Sequence, residues 1–230
     1  MNSLKLTSIL AASLAACLPL CAGDSKDTNA RLHEAAAVFQ EVTAAPDKGI
    51  PAELISRAKC VVIVPGLKKG AFIVGAKYGK GFISCRNAND GAWSAPGAIK
   101  VEGGSVGFQI GGSATDVVML VMNTRGAQKL LESKFTLGAE GEVAAGPVGR
   151  NASASTDAKM TAEILSWSRS KGVFAGIALQ GATLREDEED NMAMYGKKMT
   201  NRDIVMKGHA TPAAAELISM LNHYSPVREK

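Results

Sequence analysis

The serine in Gly103-Gly104-Ser105-Val106-Gly107 is the residue whose surroundings come closest to a catalytic motif. This G-x-S-x-G spacing matches the nucleophile elbow of serine hydrolases, in which a strand leads into the serine and a helix begins directly after it. His209 and His223 lie downstream as candidate bases. However, the residues after Ser105 alternate as in a second strand, and the paired glycines before it are typical of a two-residue hairpin turn. His209 precedes a helix cap and His223 lies in the last turn of a predicted helix, where positive charge is favourable. We therefore expect no catalytic residue and no enzyme.

Metal and cofactor chemistry is also poorly supported by the residue pattern. The acidic run Arg185–Asp190 is the densest charge cluster, but it lacks the alternating carboxylates and the glycine turn of a calcium loop. We interpret it as a solvated loop or helix face. The glycine-rich stretches lack the Gly-Lys-Ser/Thr of a phosphate loop. The sequence therefore predicts neither a metal site nor a cofactor.

Basic residues form the pattern that best suits a function. Lys68 and Lys69 are predicted to lie in a Pro-Gly-flanked turn after an apolar strand, and Lys77 and Lys80 bracket the next hairpin at Tyr78-Gly79. Lysines that meet at a sheet edge attract anionic lipid headgroups, at about 1 kcal/mol for each charge near the surface. The alternative is that they are solvated hairpin tips, which protect strand edges, or that they pair with acidic neighbours. The candidate lipid-binding residues are Lys68, Lys69, Lys77, Lys80, Arg150, Arg169 and Lys171. The net charge is +4, but the lysines and arginines are scattered and form no basic stripe interleaved with aromatic residues, so we expect no nucleic-acid partner.

These residues need a scaffold, and the patterning predicts helices at both ends of a strand-rich middle. Thr28 can cap a helix that carries Leu32, Ala36, Phe39 and Val42 at helical spacing and stops at Pro46. Further helices are predicted with Pro51 in the first turn, from Asn123 or Thr124, and from the cap and first turn at Thr211-Pro212.

Apolar or alternating runs between these helices predict strands. The runs are Cys60–Val64, 71–77, 81–85, 99–101, 106–110, 117–122, 142–145, 162–167 and 173–180. Turns are predicted at Tyr78-Gly79-Lys80 and at Gly103-Gly104, because glycine adopts positive φ without steric cost. The predicted fold is α+β, with an antiparallel, strongly curved or partly closed β-sheet core and helices at the N- and C-terminal ends.

The first residues have the pattern of an export signal. Lys5 precedes an apolar run, Leu6–Ala16, that is too short to span a bilayer. Cleavage before Cys17 would leave an acylated lipoprotein with a signal of residues 1–16, whereas cleavage after Ala22 would discard Cys17. We expect no transmembrane helix in the mature protein. Either cleavage predicts an exported protein, periplasmic or anchored as a lipoprotein in a bacterial envelope.

Export leaves Cys60 and Cys85 in the folded part, in a compartment that permits disulfides. A disulfide between them and a pair of buried free thiols are both compatible with the sequence.

Several ordered phrases resemble the SYLF domain, a lipid-binding module of bacterial envelope proteins and of eukaryotic actin and membrane regulators. The phrases are Trp93-Ser94-Ala95-Pro96, Gly107-Phe108-Gln109-Ile110-Gly111, Thr115-Asp116, Ala144-Ala145-Gly146-Pro147-Val148-Gly149-Arg150 and Ser168-Arg169-Ser170-Lys171-Gly172-Val173-Phe174-Ala175-Gly176, followed by Asn191 and Tyr195. The likeness extends from about Arg31 to Tyr224 and implies a binding module rather than an enzyme.

The sequence thus predicts residues 1–22 as a signal peptide, 27–225 as a single SYLF-like domain and 226–230 as a tail. The predicted function is non-catalytic binding of an anionic lipid or membrane surface in the cell envelope. The alternative is a structural or interaction protein that binds an envelope protein partner, with lipid binding incidental.

Overall fold

The computed structural model describes residues 25–44, 49–72, 74–87, 90–106, 111–147, 162–170, 173–176 and 179–225. The helices are α1 Ser25–Ala44, α2 Ala52–Arg57, α3 Thr124–Leu130, α4 Glu188–Tyr195, α5 Asn201–Lys207 and α6 Ala215–Tyr224, the last preceded by a 3₁₀ turn at Pro212–Ala214. The strands are β1 Cys60–Phe72, β2 Val74–Cys85, β3 Gly97–Val106, β4 Gly111–Val121, β5 Lys134–Thr136, β6 Val143–Ala145, β7 Ile164–Ser170, β8 Val173–Gly176 and β9 Thr183–Glu186.

All nine of these strands belong to one sheet, in the order β5-β9-β3-β2-β1-β4-β7-β6, with β8 paired to the second half of β7. The pairs are antiparallel except β6 with β7, which is parallel. Phe135 of one edge strand and Val143 of the opposite edge strand lie in the same buried cluster. The sheet is therefore strongly curled, and the predicted α+β class with a curved sheet and terminal helices is confirmed.

Both faces of the central strands are buried. Val61 and Ile63 pack with α1, α2 and α6 on one face, whereas Val62 and Val64 belong to the cluster that the curled sheet encloses. A strand that is buried on both faces reads as a continuous apolar run, which explains why Cys60–Val64 shows no alternation.

The predicted helices are present in the described residues, but the predicted cap at Thr28 is wrong, because Thr28 is buried inside α1, which already includes Ser25. Leu32, Ala36, Phe39 and Val42 are buried along α1, while Pro46 lies outside the described residues. The Asn123 side chain caps α3 by accepting a hydrogen bond from the Gly126 N–H. No helix in the described ranges is long and apolar enough to cross a bilayer.

Two predicted turns are wrong, because Tyr78-Gly79-Lys80 and Gly103-Gly104 lie inside the continuous strands β2 and β3. Of their glycines, Gly79 and Gly103 allow close packing rather than a change of direction, and a Cβ on Gly79 would lie 2.8 Å from Leu67 Cδ1. A Cβ on Gly81 would lie 2.0 Å from the Ile63 carbonyl oxygen, and one on Gly103 would lie 3.1 Å from the Ala182 Cα. The hairpin between β1 and β2 turns instead between Phe72 and Val74.

The glycines of β2 face a bulge in β1. The pairing of β1 with both β2 and β4 shifts by one residue between Val64 and Leu67, and Gly66 takes a φ of +57°. Asp116 of β4 holds this bulge, because its Oδ1 accepts a hydrogen bond from the Gly66 N–H at 2.9 Å. One inserted residue reverses which side chains of the strand face each side of the sheet.

The structure answers the question about the two cysteines. Cys60 and Cys85 are opposite each other on β1 and β2 and are joined by a disulfide. Both are buried, so the bond closes the base of the β1–β2 hairpin from within the core.

Candidate functional site

The two long central strands carry lysines close to the hairpin that joins them. Lys69 of β1 is directly opposite Lys77 of β2, and Lys68 is opposite Tyr78. We call Lys68, Lys69, Lys77 and Tyr78 the lysine end of the sheet. The predicted position of Lys68 and Lys69 in a turn is wrong, since both lie in β1 beyond the bulge.

The bulge decides which face each of these side chains occupies. Leu67 belongs to the enclosed cluster, and side chains two residues apart share a face, so Lys69 and its partner Lys77 extend that face. Lys68 and Tyr78 lie on the other face, where Tyr78 is 45% exposed. The lysine end therefore presents positive charge on both faces of the sheet.

The electrostatics of the lysine end are unfavourable within the protein itself. Burial, followed by the nearby charge of Lys77, lowers the pKa of Lys69 below its ordinary value. No ion pair joins Lys68, Lys69 or Lys77 to a carboxylate in the part of the chain that the structure describes. Like charges directly opposite each other destabilise a sheet. An anion supplied from outside would relieve this repulsion.

Lys80 has a different environment, although the sequence grouped it with these lysines. Its Nζ lies 2.8 Å from Asp187 Oδ2 and 3.1 Å from Asp190 Oδ1. Burial alone would lower the pKa of Lys80, but hydrogen bonds to the two carboxylates and their charges raise it above its ordinary value. Lys80 is thus held by the protein's own anions.

The interpretation of the acidic run as a solvated face is wrong for two of its residues. Asp187 and Asp190 are buried, where they form ion pairs with Lys80, with Lys100 of β3 and with Arg31 of α1. Asp187 also caps α4, since its side chain accepts a hydrogen bond from the Asp190 N–H. The run therefore joins α1 and α4 to the sheet.

Arg169 is likewise paired inside the protein. Its guanidinium donates to Asp116 Oδ2 at 2.7 and 2.9 Å and pairs with Glu41 of α1. Because Asp116 also holds Gly66, Arg169 connects α1 with the bulge that precedes the lysine end. The other predicted residues, Cys17, Arg150 and Lys171, lie outside the described residues. The assignment of lipid contacts to all these residues remains a prediction.

The described residues of two SYLF-like phrases make structural contacts. The Arg86 guanidinium stacks 4.4 Å from the Trp93 ring, and both side chains donate hydrogen bonds to the Ser225 carbonyl oxygen. Trp167 lies so close to Gly146 that a Cβ there would be 2.0 Å from its Cε2. These phrases fix the C-terminal end of α6 and the edge strand β6.

Asn191 and Tyr195 hold the start of β3. Asn191 Oδ1 accepts a hydrogen bond from the Ala98 N–H, and its amide donates to Asn201 Oδ1. The Tyr195 hydroxyl donates to the Pro96 carbonyl oxygen at 2.6 Å, and burial raises the pKa of Tyr195. The two side chains thus have clear structural partners.

The geometry around Ser105 differs from that of a nucleophile elbow. Such an elbow needs a helix to begin at the serine, whereas Ser105 and Val106 continue strand β3 opposite Gly75 and Val74.

Comparison with known proteins identifies the family. A family model described as Ysc84, Las17-binding protein actin regulator, matches residues 102–224, more than half of the chain. The chain belongs to the SYLF family. The resemblance seen in the sequence phrases is thereby confirmed.

Several eukaryotic proteins are similar to this chain. SH3 domain-containing YSC84-like protein 1 of Rattus norvegicus is 36% identical over 191 residues, which cover 81% of this chain and 56% of the relative. The Homo sapiens protein of that name is 36% identical over 181 residues, or 77% and 52% of the two chains. LAS seventeen-binding protein 3 of Saccharomyces cerevisiae is 36% identical over 173 residues, or 74% and 37%. This SYLF protein thus spans about half the length of its mammalian relatives.

Proposed function

We propose that this SYLF protein is a non-catalytic binding protein that attaches to anionic membrane surfaces through the lysine end of its sheet. The observation that supports this most directly is the opposition of Lys69 and Lys77 without an intramolecular counter-ion among the described residues. Lipid phosphates would supply the missing negative charge. Three lysines at about 1 kcal/mol each contribute roughly 3 kcal/mol to this attraction.

We further propose that the protein acts in a cell envelope after export. The apolar run Leu6–Ala16 and Cys17 support this location, and a disulfide is compatible with an oxidising compartment. Acylation at Cys17 would add a membrane anchor to the electrostatic contact, and two such signals hold a protein far more stably than either one.

Vesicle binding by the full chain tests the proposal. We expect binding to vesicles that contain phosphatidylglycerol and little binding to phosphatidylcholine alone. Replacing Lys68, Lys69 and Lys77 with Gln should weaken the affinity by roughly 100-fold, because about 3 kcal/mol of attraction is lost. Co-sedimentation at low and high salt measures the effect.

A second triple variant provides the control with the same change in net charge. Lys59, Lys134 and Lys207 are exposed and lie away from the lysine end, so their replacement with Gln should leave the affinity almost unchanged. Equal losses in both triple variants, or equal binding to neutral vesicles, would contradict a site at the lysine end.

Binding of a partner protein is the second candidate function. It is supported by the names of the relatives, which describe a Las17-binding protein and an actin regulator. Affinity purification from the native host separates the two candidates. If the parent chain and the lysine-end triple variant capture the same protein in stoichiometric amounts and without lipid, the result favours binding of a partner protein.

A further inference from the structure

Four basic residues lie in register across four neighbouring strands. Lys80 of β2 is opposite Lys100 of β3. Lys100 is in turn opposite Arg185 of β9, which is opposite Lys134 of β5. Residues that are directly opposite each other share a face of the sheet, and the apolar neighbours of these residues along β3, β9 and β5 belong to the enclosed cluster. The four basic side chains therefore lie on the outer face, and we call them the basic row.

The start of α4 neutralises one half of the basic row. Asp187 Oδ2 lies 2.8 Å from Lys80 Nζ, and Asp187 Oδ1 lies 3.2 Å from Lys100 Nζ. Asp190, three residues later, places its Oδ1 3.1 Å from Lys80 Nζ. Residues three apart in a helix have Cβ atoms about 5–6 Å apart, which is close to the spacing of about 4.8 Å between neighbouring strands. An acidic helical turn thus fits across two strands of the basic row.

The other half of the basic row has no such turn among the described residues. Lys134 is exposed and forms no ion pair with a carboxylate within the described ranges. Arg185 Nε lies 3.3 Å from Glu102 Oε2, but these two side chains are 49% and 44% exposed, and exposed ion pairs contribute little. Like charges directly opposite each other destabilise a sheet. Arg185 and Lys134 therefore favour an anionic group from another molecule.

We propose that Arg185 and Lys134 dock an acidic helical segment of a partner protein, whose carboxylates cover this half of the basic row as the start of α4 covers the other half. A guanidinium can bind a carboxylate through two parallel hydrogen bonds, which gives the contact a direction. The hydroxyls of Thr136 and Thr183, 3.4 Å apart on the same face, are further donors beside the two cations.

The class of partner follows from the half of the row that is already occupied. The anions that the basic row accepts within this chain are carboxylates, presented by a peptide at the spacing of one helical turn. A second peptide of this kind repeats the same contact on the next pair of strands. This inference does not depend on the lipid contacts proposed for the lysine end.

Fluorescence anisotropy with a labelled peptide tests the inference. The probe is an alanine-based peptide with glutamates three and four residues apart along one helical face, added to the full chain at low salt. An Arg185→Gln, Lys134→Gln double variant should bind this peptide roughly tenfold more weakly than the parent chain, because two exposed charge pairs are lost. Arg185→Lys alone keeps the charge but not the planar fork, so it should weaken binding only about threefold.

Two controls accompany this experiment. A Lys59→Gln, Lys207→Gln double variant makes the same change in net charge at exposed positions outside the basic row and should bind like the parent chain. A peptide of the same composition, with its glutamates distributed around the helix, should bind more weakly than the probe. Thermal melting checks that each variant is folded. Equal losses in the two double variants, or equal binding of the two peptides, would overturn the inference.

Vesicle binding separates this surface from the lysine end. The Arg185→Gln, Lys134→Gln variant should bind phosphatidylglycerol vesicles like the parent chain, and the lysine-end triple variant should bind the peptide like the parent chain. If the double variant lost vesicle binding as strongly as the triple variant, the basic row would be a lipid surface and the docking inference would be wrong. A parent chain that bound the peptide but no vesicles would support docking and overturn the proposed function.

Discussion

Lys69 carries a charge that the folded protein disfavours. Its lowered pKa means that folding opposes protonation, and the cause is burial together with the charge of Lys77. This cost is present below the folded-state pKa and disappears only above the unfolded-state value near 10.4. At neutral pH the charge therefore costs stability.

Replacing Lys69 with Gln should separate stability from binding. We expect the free energy of unfolding to rise by about 0.2–1 kcal/mol, the range for removing a like-charged cross-strand pair, while affinity for anionic vesicles falls. Urea denaturation measures the first effect and co-sedimentation the second. Lys59→Gln, at an exposed position, should change neither; a loss of stability in Lys69→Gln would show that the lysine is structurally required.

Single residues also show where prediction from sequence fails. The two lysines of the opposing pair were identified from their types, but Lys80 and Arg169 could be recognised as paired only once Asp187, Asp190 and Asp116 had been brought beside them. These contacts join residues 53 to 110 positions apart in the chain. Such distant pairs leave no local pattern.

Among the elements, α4 depends on the charge of its N-cap residue, Asp187. Burial alone would raise the pKa of Asp187, but its hydrogen bonds to Lys80 and the Asp190 N–H, with the charges of Lys80 and Lys100, lower it below its ordinary value. A carboxylate with a depressed folded-state pKa contributes stability above its unfolded-state pKa of about 3.9, and this is lost as pH falls through the folded-state value.

Asp187→Asn should therefore destabilise the protein at pH 7 and progressively less at acid pH. We expect a loss of about 3–5 kcal/mol at neutral pH, the range for removing one partner of a buried ion pair. Urea denaturation from pH 7 down to about pH 3 measures how the difference in free energy of unfolding between Asp187→Asn and the parent chain becomes smaller. Glu132→Gln, at an exposed site, serves as the control. If the free energies of unfolding of Asp187→Asn and the parent chain differed by the same amount across the pH range, the ionic contribution of Asp187 would be excluded.

Elements with strong local signals were predictable, and those set by distant contacts were not. Helices α1 and α3 follow from apolar spacing and from the cap at Asn123. The bulge at Gly66 could not be predicted, because it depends on Asp116 fifty residues away. The glycines of β2 and β3 were mistaken for turns, since sequence alone does not distinguish a turning glycine from one packed against a neighbouring backbone.

At the scale of the whole molecule, the helices of the first core cover only part of the sheet. Helices α1, α2 and α6 pack over Val61 and Ile63 near the base of the β1–β2 hairpin, whereas Ala76 and Gly104, close to its outer end, are exposed. Among the described residues, the two-sided core thus lies at one end of the sheet and these exposed residues lie toward the other.

Loss of the disulfide should lower the stability of the whole fold. Cys60 and Cys85 are 25 residues apart, and closing a loop of this length contributes roughly 3 kcal/mol by restricting the unfolded chain. We expect a paired Cys60→Ala and Cys85→Ala variant to lose about this much in urea denaturation. Reductant should destabilise the parent chain similarly and leave the variant unaffected. If the parent chain were equally stable with and without reductant, the disulfide would not make this contribution to stability.

The same crosslink has a mechanical consequence. If the segments before Cys60 and after Cys85 were pulled apart, the strands of the sheet could separate, but the β1–β2 hairpin between the joined cysteines could not add its length to the chain. At about 3.3–3.6 Å per extended residue, a segment of 25 residues holds back roughly 80–90 Å of contour length. A load between the segments before Cys60 and after Cys85 would therefore pass through a covalent bond rather than stretch the hairpin into an extended tether.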